Sequence, residues 1–337
     1  MTKKSLSEFR QDLVSGEWVL FSTGRAKGHI LKKKEILKQP EENCPFENPA
    51  ASGQKIIWSY PDDQNWREMV IKNKYPAVIT NYEKEKEETS ADKKDLFNVH
   101  EAVGNHEIVV FREHDRTPYD FSREQFAETI KVYKKRYAEI SVLDGCAEYI
   151  LIFHNHGPTA GATIAHPHSQ IISFPILPPD VYRSIYGSFN YYKKHGKKIY
   201  DIILGWEIEK AKRIVYENEY FIVFCPFVSK YPYEVRIFPK QSQAHFEVMP
   251  EEQEIFLGEA IQDVIGKIGR ILDKPFFNFF IHTAPLKDDL GEHFHDFYCW
   301  HMEIIPRLSI EGGIELGTDV SVNVVDPDEA AEELRGA

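Results

Sequence analysis

Residues 164–171, Ile-Ala-His-Pro-His-Ser-Gln-Ile, set two imidazoles and a carboxamide at alternate positions of an apolar run. In a strand, the period of two puts His166, His168 and Gln170 on one face. An unprotonated imidazole nitrogen attacks phosphorus when the other ring nitrogen donates to a fixed acceptor, which orients the ring and raises its nucleophilicity. A neighbouring amide can donate to a non-bridging oxygen as charge grows in the transition state. His168 suits the first role and Gln170 the second. Just upstream, "GPTAGAT" (157–163) is a small-residue loop able to bring backbone N–H groups close to an anion. This order describes a phosphate held beside a nucleophile; the competing reading is a row of satisfied polar groups on a half-exposed strand.

His166 is a metal-ligand type on the same face. Cys44 and Glu47 in "ENCPFENP" and His114 in "FREHDRTP" are residues able to share an ion with it. Zinc accepts thiolate, imidazole and carboxylate ligands in a tetrahedron, so Cys44, Glu47, His114 and His166 make a four-ligand set. The alternative is that these are ordinary surface and core residues.

The elements that must position these groups occur twice. "HEIVVFREHDRTPYDFSREQFAETIKVYKKRYAEI", from His106, predicts a strand, a loop and a helix with an acidic first turn, followed by the strands "EYILIFHNHG" and "AHPHSQIISFP". From Tyr233 the order returns, through "FFNFFIHTAP" to "CWHMEIIPRL". Matching "HPHSQII" with "WHMEIIP" sets His301 and Glu303 where the first copy has His166 and His168. The expected fold class is α+β, two tandem copies of an antiparallel-sheet-plus-helix unit whose sheets either stay separate or merge. The expected division is 1–178 for the unit with the HPHSQ motif, 179–212 for a helical linker and 213–337 for the second unit. The charge run 81–97 reads as a solvated loop.

Composition narrows the class. The chain has 337 residues, 42% of them hydrophobic and 28% charged, as in a globular protein, and no apolar run long enough to span a bilayer. "MTKKSLSEFRQDL" lacks the apolar stretch of a secretory signal, so the expectation is a cytoplasmic protein with no membrane partner. A net charge of −12 argues against nucleic acid as a partner. Cys44, Cys146, Cys225 and Cys299 lack CxxC spacing; they do not read as a disulfide framework, and the last three read as core thiols.

With these residues in place, the chain resembles the galactose-1-phosphate uridylyltransferase family, in the branch of the histidine triad superfamily that also holds ADP-glucose phosphorylase. The resemblance runs along nearly the whole sequence, through "FRQDLVSGEWVLFSTGRAKG", "ENCPF", "NKYPAV", "GNHEIVVFREH", "NHGPTAGATIAHPHSQ", "RIVYENEYFIVFCPFVSKYPYEVRIFPK" and "HMEIIPRLSIEGGIELGTDVSVNVVDPDEAAEELR". It implies a histidine-triad-like fold and a ping-pong reaction. His168 takes UMP from UDP-glucose and passes it to a hexose 1-phosphate, galactose 1-phosphate in the type enzymes. An ADP-glucose phosphorylase-like adenylyltransferase and a non-catalytic nucleotide-sugar binder are the alternatives.

Gln170 then contacts the transferred group, Asn155, Gly161 and Thr163 match phosphate contacts, and Arg25 and Asn73 match nucleotide-side positions. The resemblance implies a structural zinc on Cys44, Glu47, His114 and His166, with Glu47 where relatives carry a second Cys. It also implies a homodimer. A second metal site, near His282, His301, His245 and Glu303, is doubtful because the carboxylate expected after the HPHSQ strand is missing around "PDVYRS". His293, His295 and His301 form an alternative cluster. In the sugar segment, Ser309, Ile310 and Ile314 replace a Lys, a Phe and a Tyr, while Glu315 and Asn323 remain as polar partners, which points away from galactose.

Overall fold

The computed structural model describes residues 7–25, 39–80, 101–143, 147–287 and 293–337, so the charge run 81–97 and Cys146 lie outside the described residues. Strands β1 (Glu8–Gln11) and β2 (Trp18–Phe21) form a hairpin, and β2 is paired in parallel with β13 (Ser321–Asn323), tying the first strands to the last. The remaining strands build one sheet. They are β3 (Ile56–Tyr60), β4 (Glu68–Lys72), β5 (His106–Phe111), β6 (Tyr149–His156), β7 (His168–Phe174), β8 (Ile214–Glu217), β9 (Phe221–Phe224), β10 (Val235–Pro239), β11 (Phe277–His282) and β12 (His301–Pro306).

Their order is β3-β4-β5-β7-β6-β11-β12-β10-β9-β8. The second half of the list repeats the first in reverse, as two copies related by a pseudo-twofold would. The copies therefore merge, and β6 pairs antiparallel with β11 at the joint. The internal correspondence is shifted from the one expected. β7 opens at His168 and β12 at His301, while Phe153 faces Gln170 and Phe280 faces Glu303 across their ladders. His301 thus stands where the first copy has His168, and Glu303 where it has Gln170. The Gln-Ile-Ile and Glu-Ile-Ile steps were the register signal, because a period-two strand tolerates a slip of two residues without changing faces.

One face of the sheet is covered by α1 (Arg123–Leu143), reached through a Pro118–Asp120 turn. Phe126, Ile130, Tyr133, Tyr137 and Ile140 recur at three- and four-residue steps along α1 and are buried against β-branched sheet residues such as Val109, Ile152 and Ile171. Its counterpart in the second copy, α4 (Glu254–Leu272), shares this core and lies against it. Gly258 permits the approach: a Cβ there would lie 2.3 Å from the Arg123 carbonyl oxygen.

The other face is treated differently in the two halves. The expected linker is two helices, α2 (Pro179–His195) and α3 (Ile199–Lys210). Val181, Ile185, Phe189, Tyr200 and Leu204 from these helices pack on Ile222, Phe224 and Phe238 of the second half. In the first half the same face carries a smaller group of Cys44, Phe46, Met69, Ile71, Ile108 and Val110. α5 (Gly313–Thr318) and α6 (Pro327–Arg335) complete the fold, and no helix of the described residues is long and apolar enough to cross a membrane.

Candidate active site and metal centre

His168 and Gln170 lie on the face of β7 away from α1, while Ser169 points the other way and hydrogen-bonds Tyr133 of α1. His168 Nδ1 is 2.9 Å from the His166 carbonyl oxygen. An imidazole nitrogen facing a carbonyl carries the proton, so the lone pair belongs to Nε2. The Phe46 ring meets His168 edge-on at 5.0 Å between centroids and limits its rotation. Burial holds the His168 pKa below the usual imidazole range, against the carbonyl bond, which raises it. The result is a neutral, oriented ring, the state a nucleophile needs.

Behind the strand, Tyr133 Oη donates to Ser169 Oγ at 2.5 Å, and Ser169 Oγ lies 3.0 Å from His154 Nδ1. Asn155, at the end of β6, accepts a hydrogen bond from Asn278 Nδ2 at 2.8 Å, and the same nitrogen donates to the Ala160 carbonyl at 2.8 Å. Asn278 lies on β11, so the second copy braces the loop of the first. No motif marked it, since its role comes from the β6–β11 joint.

The loop itself turns through Gly157 (φ 86°) and Gly161 (φ 89°). At Gly157 a Cβ would lie 2.0 Å from the Phe276 ring. The amides of Ala160, Gly161 and Ala162 donate to the Gly157 and Pro158 carbonyls, so Gly161 shapes the loop and does not offer its own N–H to an anion. Thr163 is exposed at the loop's end.

Cys44, Glu47, His114 and His166 do converge: their donor atoms all lie within 4.8 Å of one another. His166 Nε2 faces the Phe111 carbonyl at 2.6 Å and His114 Nε2 the Gln39 carbonyl at 2.8 Å. Both Nε2 atoms are therefore the protonated ones, and both Nδ1 lone pairs point inward, 3.1 Å apart. Glu47 Oε1 is 2.9 Å from His114 Nδ1 and 3.1 Å from His166 Nδ1; Cys44 Sγ is 3.6 Å from His166 Nδ1. Two imidazole nitrogens, a carboxylate and a sulfur at these spacings need a proton or a metal cation between them. A tetrahedron of bonds about 2.0–2.3 Å long has edges of about 3.3–3.8 Å, close to these separations, and backbone-anchored Nε2–H groups are the usual support of metal-bound His. The residues fit a tetrahedral ion.

Around His114, burial acts to lower the pKa, but the Gln39 carbonyl and Glu47 carboxylate lift it above the usual range. Burial lowers that of His166 and raises that of the Cys44 thiol.

A second group, His282, His301 and Glu303, occupies in the other copy the place of Asn155, His168 and Gln170, not that of the four-donor cluster. His301 Nδ1 is held by the Cys299 carbonyl at 3.1 Å, repeating the His168 arrangement, and Nε2 is 3.4 Å from Glu303 Oε1. Here, however, the carboxylate already has a partner: Arg236 Nε lies 2.9 Å from Glu303 Oε1, and Arg236 also pairs with Glu234. Burial pushes the Glu303 carboxyl up, but Arg236, His301 and His282 together hold it well below the usual carboxylate range. Burial pushes His282 down to about 4. Asp180, within "PDVYRS", lines a cavity with these residues and Lys230 but is not one of the three converging donors. His245 is not part of the group; it neighbours Glu247 and His295, and His293 and His295 are not among its converging donors either.

The remaining candidates fall in two places. Asn73 lies beside His106, whose Nε2 contacts Gln170 Oε1 at 2.8 Å, so Asn73 joins the His168 face. Arg25 and Glu315 line a separate cavity of about 140 Å³ with Ser309, Ile310 and Ile314, in which neither His168 nor Gln170 takes part. Glu315 also caps α5 by accepting from the Gly312 amide at 2.9 Å. Asn323 is fully buried; its Nδ2 donates to Ser229 and Tyr231 and its Oδ1 accepts from the Val325 amide, so it anchors β13 and presents nothing to a sugar.

Comparison with known proteins agrees with this geometry. Residues 1–178 match the family model for galactose-1-phosphate uridyl transferase, N-terminal domain. The chain is 31% identical to the ADP-glucose phosphorylase of Arabidopsis thaliana, over 97% of this chain and 92% of that one. It is 27% identical to the galactose-1-phosphate uridylyltransferase of Thermotoga maritima over 98% of both. The crystal structure of the Arabidopsis ADP-glucose phosphorylase with bound ADP-glucose superposes with a TM-score of 0.81 at 29% identity, covering 98% of this chain and 99% of that one. A uridylyltransferase structure superposes at 0.73, with 25% identity and 98% of each chain covered. Sequence and fold agree along the whole length: this chain, two histidine-triad-like units in one sheet, belongs to the galactose-1-phosphate uridyl transferase family.

Proposed function

We propose that this nucleotidyltransferase works through a covalent nucleotidyl-His168. The observation that carries the reading is the bond from His168 Nδ1 to the His166 carbonyl, which leaves an unprotonated Nε2 on the face of β7 that also carries Gln170. Nε2 attacks the α-phosphorus of a nucleotide sugar. The bond from phosphorus to the bridging oxygen breaks, the sugar 1-phosphate leaves with its electron pair, and the nucleoside monophosphate stays on nitrogen. The His166 carbonyl stabilises the ring as it becomes cationic, and Gln170 and Asn155 donate to the phosphoryl oxygens. An acceptor phosphate oxygen then attacks the same phosphorus and frees His168.

Zinc held by Cys44, Glu47, His114 and His166 would supply no group to this transfer. Its part would be to fix His166, whose carbonyl orients the nucleophile.

UMP passing from UDP-glucose to a hexose 1-phosphate is one substrate pair. A second, ADP-glucose with inorganic phosphate as acceptor, is favoured by the similarity to ADP-glucose phosphorylase, a branch toward which Ser169 in the motif also leans. The separation of Arg25 and Glu315 from His168 supports sites completed across a homodimer.

Intact mass after incubation with UDP-glucose or ADP-glucose tests the reading and names the base. An adduct in wild type and none in His168→Ala is expected, and discharge by galactose 1-phosphate, phosphate or water names the acceptor. Nucleotide binding without any adduct, identical in both proteins, would leave a binding protein instead.

A further inference from the structure

His106, the first residue of β5, is not among the residues the HPHSQ motif marks, yet both of its ring nitrogens are engaged. The Ala77 amide donates to Nδ1 at 3.1 Å, which assigns the ring proton to Nε2. Nε2–H then donates to Gln170 Oε1 at 2.8 Å. The Asn73 amide nitrogen lies 3.4 Å from Nδ1, the acceptor of this tautomer; its 3.2 Å approach to Nε2 sets donor beside donor and adds no bond. Asn73 is pinned in turn, its backbone amide donating to the His106 carbonyl at 3.0 Å and its Oδ1 accepting from the Tyr75 amide at 2.9 Å. The contact between His106 and Gln170 is set by register: His106 faces Ile172 and Ile108 faces Gln170, so the two side chains are diagonal neighbours on one face.

The consequence concerns which end of the Gln170 amide meets the substrate. A glutamine amide is nearly the same shape either way round, but one end donates and the other accepts. Presenting Oε1 to an anionic phosphoryl oxygen would set lone pair against charge. With Nε2–H of His106 on Oε1, turning the amide over would bring two N–H groups together.

We infer that His106 is a positioning residue for the transferred phosphoryl group: it locks Gln170 with its NH₂ end, and not its carbonyl, toward the non-bridging oxygens. The inference rests on the reading that His168 carries the nucleotide, and it adds the group that decides the polarity of that site's donor.

Single-turnover formation of nucleotidyl-His168, with whichever of UDP-glucose or ADP-glucose labels the wild type, tests it as a double-mutant cycle. Gln170→Ala should slow adduct formation about a hundredfold, as for a lost transition-state donor. His106→Phe should slow it about tenfold, the order of one orienting hydrogen bond. In the Gln170→Ala background, His106→Phe should cost less than twofold. His106→Gln, whose amide can reach the place of Nε2, should recover most of the rate. Metal content and melting temperature, measured alongside, report the fold.

Equal slowing by His106→Phe with and without Gln170 would overturn the inference, as would a wild-type rate in His106→Phe. Failure of the wild type to form any adduct would instead overturn the transfer reading on which the inference stands.

Discussion

Glu47 is the residue at which the metal centre departs from the pattern the family resemblance implies, and removing it tests whether that centre is real. Its carboxylate oxygen lies 2.9 Å from His114 Nδ1 and 3.1 Å from His166 Nδ1, at one corner of the four-donor group. Glu47→Ala leaves Cys44, His114 and His166, with water as the group available for the vacated corner. Loss of a supporting interaction lowers metal affinity about 10–100-fold, and a ligand itself falls at the upper end. At a fixed free zinc concentration that saturates the wild type, a hundredfold weaker site lowers apparent stability by about 2.7 kcal/mol. At about 2 °C per kcal/mol for a chain of this size, the melting temperature falls about 5 °C. The assay is a thermal melt in zinc-buffered solution, with bound metal measured on the same samples. Cys44→Ser should behave like Glu47→Ala, and Glu47→Cys should keep the metal. Equal zinc content and equal melting of wild type and Glu47→Ala would refute the four-ligand centre.

Three other outcomes are expected. Gly157→Ala puts a Cβ 2.0 Å from the Phe276 ring at a residue with φ +86°; urea unfolding should show a loss of about 3 kcal/mol, and a loss under 0.5 kcal/mol would refute the packing argument. Burial keeps His154 neutral in the fold, its pKa well below the usual range. Its contribution is therefore complete above about pH 6.5 and is lost as pH falls toward the depressed folded value. Between pH 7 and 5.5 this amounts to about 1.2 kcal/mol, so His154→Phe should flatten the stability profile by that amount; parallel profiles would refute it. Arg236→Met leaves Glu303 and Glu234 without their guanidinium, which should cost about 3–5 kcal/mol in metal-free buffer. The same change should let the His282–His301–Glu303 group take up a divalent ion beyond the wild-type amount; unchanged stoichiometry would show that Arg236 does not compete for that carboxylate.

What could be read from the sequence was whatever depends on local period. The alternation gave His168 and Gln170 their common face before any fold was known, while His166 falls in a bend before β7, and the recurring strand, helix, strand, strand order announced two copies. Cys44, Glu47, His114 and His166 were recoverable because metal ligands are a small set of residue types. What escaped depends on register between distant strands. His106 matters only because β5 pairs with β7 so that its ring reaches Gln170, and Asn278 only because β6 pairs with β11. Asn323 misled for the same reason: a polar residue near a sugar-contact segment looks available until Ser229, Tyr231 and Val325 are seen to occupy its amide.

On the proposed reading, the two copies also account for His168, and not its twin His301, acting as the nucleophile. His168 and His301 open equivalent strands, and each has Nδ1 fixed by the carbonyl two residues earlier. Ring orientation is therefore common to both, and the difference lies in what covers and charges each face. Over the first copy the apolar cover is the small Phe46 group, beside a loop ending at exposed Thr163. Over the second, α2 and α3 are packed onto the sheet, and the cavity left around His301 is about 50 Å³, too small for a nucleotide. That cavity is lined by Asp12, Glu17, Asp180 and Glu303 against Lys230 and Arg236, an acidic excess that opposes a phosphate. Glu303 in the place of Gln170 completes the reversal, since a carboxylate accepts where a transferred phosphoryl group needs a donor. On that reading the linker helices confine phosphoryl chemistry to the copy they do not pack on, and the duplicated sheet contributes to it through Asn278, across the joint.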